Sequence, residues 1–398
     1  MHGCDAPTGA RGARPGVKLG DIVRLHGDAL RRAHVLTPHQ HAALRAIERC
    51  RTAALGGHLD VCLQCGHAEP AYNSCRNRHC PKCQALAQAR WVAARSARIL
   101  PTHSFHVVFT LPAQLRALAR ANPHELFDML FAAASETLLQ LGRDPQWLGA
   151  QLGITAVLHT WTRELVFHPH VHCIVTGGGL TDDGSTWISA RRNFLLPVHV
   201  MGALFRGKML SKIRRALQRG RLELGSSSPQ HVRHTLDRLQ AIGWVVYAKR
   251  PFGGALQIVR YLGRYTHRTG ISNQRLVSLA DDKVTFRTKD GKSLTLPAVE
   301  FLARFVAHVL PPGFVRIRHF GLMAPANVTG RLERARELLM SRRVASDCPT
   351  AAPVDRLDWR QLLARLTGID LGRCTACGAM AVVRRPLPEL ARAPPEAA

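Results

Sequence analysis

The sequence is poor in negative charge, in lysine and in tyrosine, and it has no long apolar run. Against 55 Lys and Arg stand only 27 Asp and Glu, a formal net charge of +28 over 398 residues. Eight of the basic residues are Lys, so 47 are Arg, and the charge is carried mainly by guanidinium groups. No apolar stretch approaches the ~18 residues of a membrane span. The opening residues, MHGCDAPTGARGARPG, lack the apolar core of a secretory signal. The eleven cysteines are an odd number, which does not suit a closed disulfide framework. These absences point to a cytoplasmic, nucleoid-associated protein that makes no membrane contact. A disordered basic tail is excluded as well, because 46% of the residues are hydrophobic and the chain can bury real cores. Its length suggests two or three domains. A charge of this size calls for a polyanionic partner, nucleic acid before an anionic membrane.

The cysteines that are present are spaced for metal. Cys62 and Cys65 form one Cys-x-x-Cys and Cys80 and Cys83 another, within CLQCGHAEPAYNSCRNRHCPKC. Each pair makes a tight knuckle, and two knuckles close a four-thiolate structural zinc site. Gly66 follows Cys65, where such a knuckle needs a positive φ. Cys75 and His79 lie inside the same segment and could replace one of the four. The neighbouring Arg76, Arg78 and Lys82 are either phosphate contacts or a solvated face. A weaker signal near the end, Cys374 and Cys377 in GRCTACGAM, has no second pair nearby. A partner chain, the first site or no metal at all are open to it.

Hydrophobic periodicity organises the rest. Residues 17–56 read as helical and the zinc segment follows, with a helix leaving it over 81–100. SFHVVFTLP (104–112) reads as a buried strand, residues 124–141 as an amphipathic helix, and 154–161 and 170–176 as two strands joined by a short polar connection. A strongly basic helix spans 199–219. WVVYAK (244–249) reads as a strand and 253–267 as a helix. Residues 275–297 alternate as a three-strand meander turning at Asp281-Asp282 and Asp290-Gly291. Helices at 298–309 and 331–343 flank a basic strand, FVRIRH. The expected division is a helical and zinc-binding domain (17–100), an α+β domain (101–274), a basic extension suited to nucleic acid (275–345) and a loosely attached tail (346–398). The fold class is α+β, an antiparallel sheet with helices packed on it, preceded by the small helical zinc-binding domain.

Two motifs carry chemistry. In HPHVHCIV, the period of two puts His170 and His172 on one strand face, roughly 7 Å apart at the backbone and able to converge on one divalent ion. Pro169 cannot donate to a ladder, so His168 is placed at the strand's start. Two of the four tyrosines, Tyr261 and Tyr265 in YLGRY, stand at i and i+4, on one helical face. Periodicity alone allows an aromatic core stripe there, with Ile258 and Leu262.

Taken together, AALGGHLDVCLQCGH, YNSCRNRHCPKCQ, VVFTLP, HTW, HPHVHCIV, YLGRYTHRTGISNQRL and HVLPPGFVRIRHFG resemble, in order, the transposases of the insertion sequence ninety-one family. These are rolling-circle transposases of the two-tyrosine class of HUH endonucleases. The resemblance covers roughly residues 17–340; beyond that only CTACG matches. It implies an HUH endonuclease-like catalytic domain in which His170 and His172 hold a catalytic divalent ion. Tyr261 and Tyr265 are the implied paired nucleophiles, and Cys62, Cys65, Cys80 and Cys83 belong to the zinc-binding segment. A third polar ligand is expected. His159, placed opposite His172 in a hairpin, is the first choice, with Glu164, His168 and His106 as alternatives. Phe320 in RIRHFG leaves no spare tyrosine there.

The implied activity is cleavage and rejoining of single-stranded DNA at transposon ends through a 5′-phosphotyrosine. Its partners are those ends and target DNA; homo-oligomerisation is left open. Mg2+ or Mn2+ is the implied catalytic ion, although imidazole ligands suit softer metals, and Zn2+ the structural one. Lys208, Lys212, Arg214, Arg215, Arg316 and Arg318 are the expected DNA contacts. A rolling-circle replication initiator would share this chemistry. A non-catalytic zinc-dependent nucleic-acid-binding protein would lack it.

Overall fold

A computed structural model describes residues 16–249 apart from Ala97, then 270–341, Gln361, Ala364 and 370–387. The helices are α1 (Leu19–Ala33), α2 (Pro38–Arg49), α3 (Ala85–Ser96), α4 (Arg116–Ala121), α5 (Pro123–Arg143), α6 (Val198–Gln218), α7 (Pro229–Ala241), α8 (Ala298–Val306) and α9 (Arg331–Ser341). The strands are β1 (Gly57–Cys62), β2 (Ala68–Tyr72), β3 (Ser104–Thr110), β4 (Gln151–Trp161), β5 (Phe167–Leu180), β6 (Trp187–Ser189), β7 (Val246–Lys249), β8 (Leu276–Ala280), β9 (Lys283–Arg287), β10 (Ser293–Pro297), β11 (Ile317–Gly321) and β12 (Val382–Pro386). The fold is α+β with antiparallel sheets. Among the described residues no helix is long and apolar enough to cross a membrane.

The central sheet runs β11-β4-β5-β3-β7, with β6 paired to β5. Its apolar residues alternate along each strand, so one face of the sheet is hydrophobic. Phe105, Val107 and Phe109 of β3, Ile154, Ala156 and Leu158 of β4, and Val171, Cys173 and Val175 of β5 are buried in one cluster with α5, α6 and α7. Phe109 packs against Phe205 of α6, ring centroids 4.9 Å apart. The basic helix therefore lies on the apolar side of the sheet.

A second core joins parts of the chain that the sequence divides between separate domains. Leu19, Ile22 and Val23 of α1 and Leu44 and Ile47 of α2 bury with Val284 and Phe286 of β9 and Phe301, Leu302 and Phe305 of α8. The meander β10-β9-β8 turns at Asp281-Asp282, both at positive φ, and at Asp290-Gly291, again both positive. Its apolar face needs a cover, and the N-terminal helices supply it. Instead of hanging loosely, the tail returns: β12 pairs antiparallel with β1, Cys62 opposite Val382 and His58 opposite Pro386. A third, smaller cluster seats α9 against Leu180, Trp187 and Leu322.

Candidate functional site

On the face of the central sheet opposite α5, α6 and α7, β4 and β5 bring three imidazoles together. One ring nitrogen each of His159, His170 and His172 lies within 4.8 Å of the other two. The β4–β5 register sets His159 opposite His170 and Val157 opposite His172. His159 thus meets the pair from two residues further along than the expected position opposite His172. Ring centroids of His159 and His172 are 4.3 Å apart, those of His170 and His172 4.8 Å.

Hydrogen bonds orient these rings. His170 Nδ1 lies 2.6 Å from the carbonyl oxygen of His168, to which it donates, so its lone pair sits on Nε2. His172 Nδ1 lies 2.8 Å from Nε2 of His106 on β3. When His172 Nδ1 donates, its own Nε2 is likewise left as an acceptor. Burial pushes the His159 and His172 imidazoles well below the ordinary histidine range, with the neighbouring histidines adding to it. It lowers His170 to about 4. All three are neutral near pH 7, the form that binds metal. Of the other expected ligands, His168 accepts from Arg116 Nη2 at 2.8 Å, and Glu164 sits in the β4–β5 connection with its carbonyl bonded to Arg304. Tyr261 and Tyr265 lie outside the described residues. Tyr247 on β7 does not: it is opposite Val108 and hence on the histidine face, 52% exposed.

The same face continues into a cleft between α3 and the sheet. Trp91, Arg95 and Arg98 line one side, Thr155, Ile174 and His319 the other. Ile174 follows His172 on the same face of β5, so the cleft begins roughly 7 Å from the histidines. These arginines were not among the expected DNA contacts.

The expected contacts are mostly engaged elsewhere. Lys212 Nζ pairs with Glu136 at 2.8 Å, Lys208 with Glu136 at 3.9 Å, and Arg214 with Asp237 at 2.9 Å. Arg215 is exposed, but α6 lies behind the sheet. Arg318 pairs with Asp128 and covers the rings of Phe131 and Phe314. Arg316 sits over Trp161, its guanidinium lowered to about 9 by burial. Helix periodicity and strand alternation turn Lys208, Lys212, Arg214 and Arg318 toward the helical layer and its carboxylates, whereas Arg316, over the Trp161 ring that stacks on His159, lies beside the histidines.

The cysteines depart from the expected grouping too. Cys80 and Cys83 meet Cys50 and Cys75, while Cys62 and Cys65 meet Cys374 and Cys377. The β1–β2 hairpin separates the two pairs. Cys62 and Cys65 cap its tip; its base, where Asn73 and Gly56 are bonded, lies beside Cys50. Five residue steps along β1 hold tip and base roughly 17 Å apart. In the group at the base, sulfur–sulfur distances are 3.3 Å (Cys50–Cys83), 3.6 Å (Cys50–Cys80) and 3.7 Å (Cys75–Cys83). Cys75 is a member of this group, and His79, buried nearby, is not. Arg78 donates to the carbonyl of Phe314, tying the segment to the start of β11. Cys50, a lone cysteine at the end of α2, carries no local motif.

Two family models match the chain: "Transposase zinc-binding domain" over residues 22–111 and "Putative transposase" over 153–330. A relative described as "Putative transposase y4qJ" from Sinorhizobium fredii (strain NGR234) is 45% identical, covering 92% of this chain and 94% of its own. The chain belongs to the insertion sequence ninety-one family of transposases. The transposase for insertion sequence element IS801 of Pseudomonas savastanoi pv. phaseolicola is 28% identical over 88% of the chain and 86% of its own. The family's zinc-binding segment contains Cys50, Cys62, Cys65, Cys75, Cys80 and Cys83; Cys374 and Cys377 fall outside it. Matching solved structures include the conjugative relaxase TrwC with OriT DNA, metal-free (14% identity, 42% of this chain, 72% of that chain, TM-score 0.24) and metal-bound (14%, 59%, 96%, 0.24).

Proposed function

We propose that the chain cleaves and rejoins single-stranded DNA at transposon ends, with a tyrosine of the Tyr261/Tyr265 pair as nucleophile. The observation that carries this reading is the convergence of three neutral imidazoles on the face of the central sheet opposite α5 and α6. His159, His170 and His172 would hold one divalent cation, because three ring nitrogens lie within one coordination sphere and two of them are oriented by bonds at Nδ1. Mg2+ or Mn2+ would draw its remaining oxygen donors from phosphate and water, and an all-imidazole set also suits softer ions. Such a cation, when bound, polarises the scissile phosphate and stabilises its developing charge.

The protein's own groups do the rest. A free tyrosine has a pKa near ~10, so its phenol needs a site that stabilises the charge passing to phosphate. The phenolic oxygen forms a bond to phosphorus as the bond to the 3′-oxygen breaks. The phenol's proton leaves and the departing oxygen takes one up, giving a 5′-phosphotyrosine and a free 3′-hydroxyl. Bond energy is kept, so a 3′-hydroxyl of another strand can reverse the step. A second tyrosine one turn away could hold a second strand meanwhile. Across the histidine face the DNA would run into the cleft, where Trp91 can stack a base and Arg95 and Arg98 can meet phosphates. Cys50, Cys75, Cys80 and Cys83 would hold Zn2+ as a scaffold ion against the second core.

The test uses a labelled single-stranded oligonucleotide carrying a transposon end, with Mg2+. A denaturation-resistant protein–DNA adduct is expected. It should vanish in Tyr261→Phe/Tyr265→Phe and persist in Tyr247→Phe. An adduct that survives the double substitution but is lost with Tyr247→Phe would move the nucleophile to β7. Cleavage with no adduct at all would make water the nucleophile.

A further inference from the structure

We propose that Cys62, Cys65, Cys374 and Cys377 form a second zinc site, a ribbon closed from the two ends of the chain. The base group already completes one four-thiolate set from within the family's zinc-binding segment. Cys62 and Cys65 are then left at the hairpin tip, and their partners arrive from outside that segment. Cys62 Sγ lies 3.7 Å from Cys377 Sγ, and Cys65 Sγ 3.7 Å from Cys374 Sγ. A tetrahedron with zinc–sulfur bonds of about 2.3 Å has edges of about 3.8 Å.

The two knuckles are built alike. Gly66 N–H donates to the Cys62 carbonyl at 3.0 Å, and Gly378 N–H to the Cys374 carbonyl at 3.0 Å. Cys62 N–H donates to the His67 carbonyl at 2.8 Å, and Cys374 N–H to the Ala379 carbonyl at 2.8 Å. Gly66 and Gly378 have φ of +71° and +78°, a conformation that glycine adopts without strain. A repeated backbone trap for two thiolates, delivered face to face, is the way a ribbon encloses its ion.

The small sheet β12-β1-β2 has almost no apolar core to hold it. Of its described residues, from 57 to 72 and 370 to 387, only Cys62, Cys374 and Leu387 are buried. Two of those three are ligands. A three-stranded sheet with one buried aliphatic residue lacks the hydrophobic stabilisation to hold a strand from some 300 residues away, and metal binding is the source that small domains use in its place. The ion would thus clasp β12 onto β1. Each group has two buried thiols, but its other two differ: Cys65 and Cys377 are exposed, whereas Cys75 and Cys83 of the base group are half-buried. The clasp should therefore surrender its ion to a chelator first, freeing the tail while the scaffold ion stays.

This inference does not depend on the cleavage reading. Its test measures zinc per purified full-length chain by elemental analysis, with hydrogen exchange across β12 and β9. Two zinc ions are expected in the wild type and one in Cys374→Ser/Cys377→Ser. Protection of residues 382–386 should fall and that of 283–287 stay. Cys62→Ser/Cys65→Ser should give the same pattern. One zinc in the wild type, two in the Cys374/Cys377 variant, or β12 protection unchanged there would overturn the proposal. Loss of both ions from that variant would overturn the claim that the sites are independent.

Discussion

On β5, Val171, Cys173 and Val175 point into the helical layer and are fully buried, while His170, His172 and Ile174 alternate with them toward the opposite face. β4 repeats the pattern, Ala156 and Leu158 against Thr155 and His159. One face of the sheet is thus covered by helices, and the charges there are neutralised in pairs, Lys212 of α6 with Glu136 of α5 and Arg318 of β11 with Asp128 of α5. The other gathers imidazoles beside a cleft lined by Arg95 and Arg98. The period of two that builds the fold also sorts its chemistry. Residues that hold the sheet together and residues that could act on DNA differ by one position.

The sharpest way to break this comparison is to truncate one residue on each face. Phe109 is fully buried against Phe205, so Phe109→Ala should cost about 3–5 kcal/mol in urea unfolding. His170→Ala should cost less, about 1–2 kcal/mol without added Mg2+ or Mn2+, yet remove the DNA adduct. If His170→Ala unfolded the protein as Phe109→Ala does, the histidines would be structural and the two faces equivalent.

Proton linkage sharpens the comparison, because one buried histidine belongs to neither face's chemistry. His308 sits where the two large cores meet: Thr160 Oγ1 is 3.3 Å from its Nδ1, and its Nε2 is 3.2 Å from the Leu165 carbonyl. One neutral tautomer satisfies both contacts, donating from Nε2 and accepting at Nδ1. Burial lowers its pKa to about 4, from about 6.5 in the unfolded chain. Between those values the unfolded state binds the extra proton. Stability contributed by the neutral ring is therefore present above pH 6.5 and lost as pH falls toward 4, by about 3 kcal/mol at most. Urea unfolding at pH 7 and pH 4.5 should show a smaller loss in His308→Gln than in the wild type. Equal losses would mean that His308 is neutral in neither state's favour.

Much of this arrangement is legible in the residues. Alternation in HPHVHCIV places the histidine pair, and Asp281-Asp282 and Asp290-Gly291 mark the meander turns, because both depend on neighbours in sequence. The cysteine grouping does not. Cys80 and Cys62 look equivalent as knuckles, and only the length of the β1–β2 hairpin separates them. Nor does the basic helix announce its side: Lys212 reads as a DNA contact until Glu136, 76 residues away, is seen beside it. Local spacing reports which side chains share a face. Which partner that face meets is a tertiary fact, decided by packing and by register over long separations.

His106 tests how far the histidine face extends beyond the three converging imidazoles. It stands on β3, and its Nε2 bonds His172 Nδ1, fixing which nitrogen of His172 can face a cation. His106→Phe keeps a ring there and removes the bond. Adduct formation should fall roughly 10–100-fold, as loss of an orienting partner typically costs. The Mn2+ concentration for half-maximal adduct should rise with it, and His106→Gln, which can still hydrogen-bond, should recover part of the loss. A residue serving only to fill space would leave that Mn2+ midpoint unmoved in both variants. An unmoved midpoint would confine the functional face to β4 and β5, with β3 contributing only its buried side.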